Sequence, residues 1–141
     1  MRICVIDGQG GGIGSLIIKR IKEEYGPQVE LLALGSNAIA ATQMMKSGAN
    51  KGASGENAII WNAGRVDVII GSLSIVLANG MLGEITPAMA AAVASAPACK
   101  ILLPLNQEDV EIVGTARDPL PHLVEHIVKN SLKEILHNVR S

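Results

Sequence analysis

The fold is decided by residues 2–15, which read RICVIDGQGGGIGS and run into a helix-like stretch with apolar residues at 16, 17, 18 and 21. The stretch begins as a strand and breaks into a loop, residues 7–15, in which five of nine residues are glycine. Glycine lets the backbone approach a ligand closely, and the first turn of a helix offers unpaired N–H groups and a partial positive charge. Strand, glycine loop and helix together predict a phosphate-binding turn that needs no basic side chain.

The glycine spacing separates this loop from two common phosphate loops. The dinucleotide pattern G-x-G-x-x-G fails, because the sixth residue is Ile13 when counted from Gly8 and Ser15 when counted from Gly10. The P-loop pattern G-x-x-x-x-G-K-[ST] fails because residues 3–18 contain no lysine. Phosphate contacts are therefore expected from backbone N–H groups, mainly those of residues 10–15.

A third spacing does fit, because Gly8, Gly12 and Gly14 match G-x-x-x-G-x-G. This turn is similar to that of short-chain dehydrogenases, and the resemblance implies NAD or NADP as a cofactor. The Tyr-x-x-x-Lys pair of those enzymes is absent, since the only tyrosine, Tyr25, is followed four positions on by Val29. The likeness covers only the first unit of the chain.

The end of the second predicted strand is where a dinucleotide-binding fold places an acid for the ribose hydroxyls. Here the apolar run 29–34 leads into Gly35, Ser36 and Asn37, and its one acid, Glu30, lies at the opposite end of the strand. Ser36 and Asn37 are therefore predicted to contact a ribose in place of the acid.

Asp7 stands at the lip of the predicted phosphate site, where a bare carboxylate would repel phosphate. Two roles are open: the side chain accepts N–H groups of the glycine turn, as in an Asx turn, or it holds Mg²⁺ beside a nucleotide phosphate. A further alternative is that the loop is a tight turn that binds nothing. Three consecutive glycines cost a helix start roughly 1 kcal/mol each relative to alanine, which indicates a use.

Composition predicts one domain without nucleic-acid or membrane partners. A chain of 141 residues with 48% hydrophobic residues can bury an ordinary core, which must be aliphatic because phenylalanine is absent. A formal net charge of −1 attracts neither nucleic acid nor an anionic membrane. No apolar run reaches the roughly 18 residues of a membrane span. Cys4 and Cys99 fall in strand-like runs and are predicted to be buried, reduced thiols of a cytoplasmic protein.

Strand and helix patterns alternate along residues 1–141, which predicts a single α/β domain. The expected architecture is three-layer, Rossmann-like and doubly wound, with a mostly parallel sheet of about five strands in the order 3-2-1-4-5. Ligands of such sheets bind at the carboxyl ends of the strands, where the order reverses. That point lies between the first strand and the central strand 66–71, so Gly71 and Ser72 are predicted to border the site.

Three other segments carry predictions. Residues 74–85 are apolar around Asn79-Gly80, a strong hairpin signal, and an apolar hairpin insertion there would serve as a lid, an inner packing element or a homodimer contact. The run 110–113 is predicted to add an edge strand. The motif HLVEH (122–126) has the spacing of inverted zinc proteases, but amphipathic spacing places its histidines in solvent, so no metal site is predicted.

Four stretches carry a resemblance over the full length of the chain: DGQGGG (7–12), GASGENAI (52–59), LANGMLGEITP (77–87) and RDPLPHLVE (117–125). On these stretches the chain resembles an uncharacterised family of short bacterial proteins, a domain of unknown function. The resemblance implies a compact Rossmann-like domain and no established activity.

Three functions are compatible with the residues. The first is a sensor or subunit that binds a nucleotide or dinucleotide, with NAD, NADP or a Mg²⁺-nucleotide as ligand. The second is a reductase-type enzyme that uses NAD(P), with Asp7, Ser72 or Ser74 as proton donor. The third is a structural or interaction protein without a ligand. The predicted binding residues are Asp7, Gly8, Gln9, Gly10, Gly11, Gly12, Ile13, Gly14, Ser15, Ser36, Asn37, Gly71 and Ser72.

Overall fold

The structure, a computed structural model, describes residues 1–115 and 117–140. The described residues form five strands: β1 (Arg2–Asp7), β2 (Glu30–Gly35), β3 (Lys51–Ser54), β4 (Val68–Ser72) and β5 (Cys99–Leu103). All neighbouring strands are parallel, in the order β3-β2-β1-β4-β5. The predicted parallel sheet and its strand order are therefore confirmed.

The described residues also form six α-helices: α1 (Gly12–Tyr25), α2 (Ala38–Lys46), α3 (Glu56–Ala63), α4 (Pro87–Ser95), α5 (Leu120–His126) and α6 (Leu132–Arg140). Local signals fix their ends. The side chain of Asn37 caps α2 by accepting the N–H of Ala40 at 2.8 Å, and Thr86 caps α4 in front of Pro87. Within the described ranges, no helix has both the length and the apolar character needed to cross a membrane.

The sheet separates two aliphatic cores, one on each face. β1 shows the division, because Ile3 and Val5 lie in one core while Cys4 and Ile6 lie in the other. The first core is covered by α1, α2 and the α5–α6 region, and the second by α3 and α4. Every residue of β4 is buried, as expected for a central parallel strand. The doubly wound layering is thus confirmed.

A π-helical turn, Ile127–Ser131, joins α5 to α6. The hydroxyl of Tyr25, at the end of α1, donates a hydrogen bond to the carbonyl of Val128 in this turn at 2.5 Å. Arg20 binds Glu125 through two hydrogen bonds, of 2.5 and 2.9 Å. The end of the chain is therefore tied to α1 by polar contacts as well as by the core.

The predicted hairpin at 74–85 is wrong. A short 3₁₀ helix, Leu73–Val76, is followed by successive turns rather than by paired strands. Asn79, Met81 and Leu82 have φ values of 65°, 56° and 57°, which lie in the left-handed region and cannot continue a strand.

Two smaller expectations are also wrong. Residues 110–113 form no strand, because the N–H of Val110 turns back to the carbonyl of Glu108 and the side chain of Asn106 donates to the carbonyl of Val110. Cys99 is exposed, since it begins β5 at one edge of the sheet. Cys4 is buried in β1 as predicted, and burial raises the pKa of its thiol to about 12.

At the opposite edge of the sheet lies β3. All four of its residues are exposed, and its only strand neighbour is β2. The side chain of Met45 from α2 covers Gly52, where an added Cβ would lie 2.8 Å from the Met45 side chain.

Candidate functional site

The order of the sheet reverses between β1 and β4, which lie side by side at its centre. Asp7 ends β1 and Ser72 ends β4. Next to them is a cavity of about 140 Å³, here called the edge cavity. Its lining includes the predicted residues Asp7, Gln9, Ile13 and Ser72, together with Ser74 and Asn106. The switch point predicted from the sequence is therefore a real depression in the surface.

Buried polar groups converge on the edge cavity. Asp7, Ser72 and Ser74 are 5%, 4% and 2% exposed, and they are the buried polar or charged residues of the described chain. The Oδ1 atom of Asn106 is also buried and accepts no hydrogen bond from the described residues. Burying polar groups costs free energy, and a cavity on which several of them converge is typical of a small-molecule site.

The carboxylate of Asp7 lies at the start of α1. Its Oδ1 accepts the N–H of Gly8 at 2.8 Å, and its Oδ2 accepts the N–H of Gly14 at 2.7 Å. Of the two predicted roles, the structure contains the first, an acceptor for the glycine turn. Burial raises the pKa of Asp7, these N–H groups oppose the rise, and the nearby carboxylate of Glu84 adds to it.

A second carboxylate, Glu84, lies between the glycine loop and the end of β2. Its Oε1 accepts the N–H of Gln9 at 2.9 Å, the hydroxyl of Ser36 at 2.7 Å and the amide of Asn37 at 2.7 Å. Burial would raise the pKa of Glu84, but these three hydrogen bonds outweigh it and lower the pKa. Glu84 was not among the residues predicted from the sequence, although it lies in the stretch 77–87 that carries the family resemblance.

A third carboxylate, Glu108, lies beside Ser74. Its Oε2 accepts the hydroxyl of Ser74 at 2.8 Å, and its Oε1 accepts the N–H of Met81 at 2.7 Å. Burial would raise the pKa of Glu108, but the bonds from Ser74 and Met81 lower it overall. The contact between Ser74 and Glu108 was not predicted from the sequence, because nothing in the local pattern places Glu108 near Ser74.

Residues 77–86, here called the covering segment, close over the beginning of the glycine loop. An added Cβ at Gly8 would lie 2.7 Å from the sulfur of Met81 and 3.1 Å from Oε1 of Glu84. Glu84 and Glu108 fasten the segment through the hydrogen bonds described above. Its three left-handed residues other than glycine store backbone strain, which is frequent at functional sites. Leu82 is 91% exposed.

Structural reasons account for three of the five loop glycines. The hydroxyl of Ser36 and the covering segment leave no room for a side chain at Gly8. Gly11 has a φ of 74°, and an added Cβ there would lie 2.9 Å from the backbone of Ala40. At Gly14 an added Cβ would lie 3.0 Å from the Cβ of Asp7. These glycines are needed for packing and for the turn.

Neither packing nor the turn requires glycine at the other two loop positions, Gly10 and Gly12. An added Cβ at either position would meet no atom within 4 Å, and neither residue has a left-handed φ. Both residues are exposed, and their N–H groups donate to no acceptor among the described residues. Open backbone with free donors is therefore present at the middle of the loop.

The remaining predicted residues lie around these groups. Ser36 and Asn37 are not in the edge cavity but on its β2 side, where they bind Glu84. Gly71 lies inside β4, and an added Cβ there would lie 2.8 Å from the carbonyl oxygen of Ile6. Ser15 lies in α1, and its Oγ is buried without a hydrogen-bond partner in the described chain.

A larger and more open depression of about 720 Å³ lies at the amino edge of the sheet. Three of its charged groups lie close together, since Glu30 lies 3.6 Å from both Arg2 and Lys51. The backbone N–H of Arg2 binds Asp67 at 2.8 Å. The described residues include no group of three or more His, Cys, Asp or Glu side chains that could hold a metal ion.

Fold and site together define a small doubly wound α/β domain with a glycine loop at its switch point. The chain belongs to the family described as Domain of unknown function (DUF3842), whose family model matches residues 2–136. The expected membership of an uncharacterised family is confirmed. Searches among curated proteins and among solved structures found no match. Any functional conclusion therefore depends on the residues of the site.

Proposed function

We propose that the protein binds a nucleotide along the carboxyl edge of the sheet, with a phosphate at the glycine loop. The observation that carries this proposal is the pair Gly10 and Gly12, which neither the turn nor the packing requires. Glycine in a helical first turn, as at Gly12, costs roughly 1 kcal/mol relative to alanine. A ligand that approaches the backbone closely and accepts its free N–H groups would explain why this position carries no side chain.

The other contacts follow from position along the edge. Ser36 and Asn37, at the end of β2, would donate to a phosphate oxygen next to the sugar of a nucleotide. The edge cavity, on the β4 side, would receive the base or the second half of a dinucleotide. Its volume of about 140 Å³ is below the roughly 300–1,000 Å³ of small-molecule sites. Binding of a whole nucleotide would therefore require the covering segment to move.

An alternative form of the proposed ligand is a nucleotide that binds together with Mg²⁺. Asp7 is a carboxylate close to the proposed phosphate position, and carboxylate oxygens are ligands that Mg²⁺ accepts beside phosphates. A cation between Asp7 and the phosphate would cancel the repulsion of like charges. Dependence of binding on Mg²⁺ is thus the property to be measured.

A reductase-type enzyme that uses NAD(P) is the second candidate function. It is favoured by one observation: Asp7, whose pKa is raised by burial, lines the same cavity as Ser74, which is hydrogen-bonded to Glu108. A carboxyl group with a raised pKa in a cavity is a candidate proton donor. The cofactor would supply the hydride, and Asp7 would hold the proton. The missing Tyr-x-x-x-Lys pair weighs against it.

The test is the thermal midpoint of the protein with NAD, NADP, FAD, ATP and GTP, each with and without Mg²⁺. A ligand at 100 times its dissociation constant stabilises the native state by about 2.7 kcal/mol. A shift with NAD or NADP alone would identify a dinucleotide as the ligand and justify a search for the substrate of the second candidate. A shift with ATP or GTP that requires Mg²⁺ would favour a cation at Asp7. No shift with any nucleotide would contradict the proposal and favour an interaction protein.

Two glycine variants test the loop directly. Gly12→Ala should fold and gain about 0.5–1 kcal/mol of stability, because its methyl group enters open space in a helix. It should nevertheless lose the nucleotide-induced shift, because the methyl group occupies the position of the ligand. Gly11→Ala is the matched control and should lose stability, since its φ is 74° and Ala40 is close. A stable Gly12→Ala variant that keeps the full shift would sink the proposal.

A further inference from the structure

We propose that three donors at the ends of β1 and β2 form a binding site for a nucleotide phosphate, and that Glu84 fills this site until the nucleotide displaces it. The donors are the N–H of Gln9, the hydroxyl of Ser36 and the side-chain amide of Asn37. The inference rests on the proposed function, since it names the phosphate contacts and the internal competitor of the same site.

The three donors meet on one oxygen atom, Oε1 of Glu84, at distances of 2.7 to 2.9 Å. They come from the glycine loop and from the loop after β2, so two separate parts of the chain are aimed at one point. A phosphate oxygen takes the same kind and number of donors as a carboxylate oxygen does. The arrangement is therefore an oxyanion site with an occupant from the chain itself.

The backbone of Ser36 and the side chain of Asn37 are held by contacts outside the covering segment. The N–H of Ser36 donates to the carbonyl of Asp7 at 2.9 Å, which fixes the loop after β2 against β1. The amide of Asn37 also donates to the carbonyl of Gln9 at 3.0 Å, and its oxygen caps α2. If Glu84 leaves, the three donors remain close together and can donate to a phosphate oxygen.

Glu84 is held by these hydrogen bonds and by no ion pair among the described residues. The closed state also has costs that release would remove. The carboxylates of Asp7 and Glu84 repel each other, which is one reason that the pKa of Asp7 is raised. Met81 and Leu82 have left-handed backbones, and Leu82 is 91% exposed. Glu84 is therefore an occupant that a more highly charged oxyanion can replace.

The experiment measures the dissociation constants of ATP and NAD by isothermal titration calorimetry for the wild type and for Glu84→Ala. Removing the competitor should tighten binding about tenfold, because apparent affinity scales with the fraction of sites that are open. Inorganic phosphate should compete with ATP in Glu84→Ala more strongly than in the wild type. Adding Ser36→Ala to Glu84→Ala should cancel most of the gain. Glu56→Ala, an exposed acid of α3, is the control and should bind as the wild type does.

Glu84→Gln guards against loss of folding, since its amide oxygen still accepts the three donors but carries no charge. It should tighten binding in the same direction by a smaller factor. If the wild type binds a nucleotide and neither Glu84 variant binds it more tightly, this inference is overturned while the proposed function stands. If neither the wild type nor the variants bind any nucleotide, the proposed function fails and the inference falls with it.

Discussion

The carboxyl groups of Asp7 and Glu84 are neighbours, but their pKa values are shifted in opposite directions. Burial raises the pKa of Asp7, and the charge on Glu84 raises it further. Glu84→Gln should therefore lower the pKa of Asp7, because it removes the like charge and leaves the burial of Asp7 unchanged. Carboxyl ¹³C chemical shifts followed against pH would measure this. An unchanged Asp7 pKa would show that the two carboxylates do not interact, and Glu56→Gln serves as the control.

The same carboxylates set how stability depends on pH. The folded pKa of Asp7 lies above its unfolded value of 3.8, so its contribution to stability is present below 3.8 and is lost as pH rises through the folded value. Glu84 and Glu108 behave oppositely: their folded pKa values lie below 4.5, so their contribution is present above 4.5 and is lost as pH falls. Glu84→Gln should thus lose less stability than the wild type in urea denaturation as pH falls from neutral to well below 4.5.

Single residues of the site were predictable only where the signal was local. Asp7 and the glycines follow directly from the end of β1, so the sequence pointed to them. Glu84 and Glu108 act on residues 75 and 34 positions away in the chain, Gln9 and Ser74. Their positions depend on the path of the covering segment, which the Asn-Gly signal predicted as a hairpin.

One hydrogen bond to the π-helical turn helps to hold the α5–α6 region against α1. Tyr25→Phe removes the donor for the carbonyl of Val128 and leaves the aromatic ring in place. It should lower the free energy of unfolding by about 0.5–1.5 kcal/mol, the net value of a typical hydrogen bond. Urea denaturation would measure the change, with Ser95→Ala in α4 as a control for an exposed hydrogen bond. A Tyr25→Phe variant as stable as the wild type would mean that water replaces the bond at no cost.

Helices and strands with strong local signals were predicted to within one or two residues. The helix-like stretch predicted after the glycine loop is α1, which runs from Gly12 to Tyr25 and ends before Gly26-Pro27. β4 begins at Val68 instead of residue 66. The covering segment was not predictable in this way, since left-handed backbone at Met81 and Leu82 is imposed by tertiary contacts and is disfavoured locally.

The oligomeric state of the protein can be tested at Leu82. We expect a homodimer through the covering segment, because exposed apolar stretches mark interfaces and Leu82 of this apolar stretch is 91% exposed. Leu82→Ser should shift the mass measured by light scattering from that of a dimer to that of a monomer. A monomeric wild type over a wide range of concentrations would contradict this expectation.

The architecture as a whole was predictable because every level of the sequence agrees. The alternation of strand and helix signals and the buried run of β4 lead to a parallel sheet with helices on both faces, whereas the order 3-2-1-4-5 was chosen among the several orders that doubly wound sheets adopt. Ligand identity was not predictable, since the backbone N–H groups of a glycine loop donate to many kinds of phosphate alike.

The short outer strand β3 has a consequence for how the protein behaves at high concentration. Exposed strand edges template fibril growth when they are long, flat and rich in β-branched residues. β3 has four residues, one of them glycine, and a lysine at its start. A neighbouring molecule would find only a few backbone groups to pair with and a positive charge beside them, so concentrated solutions should resist amyloid-like assembly from this side.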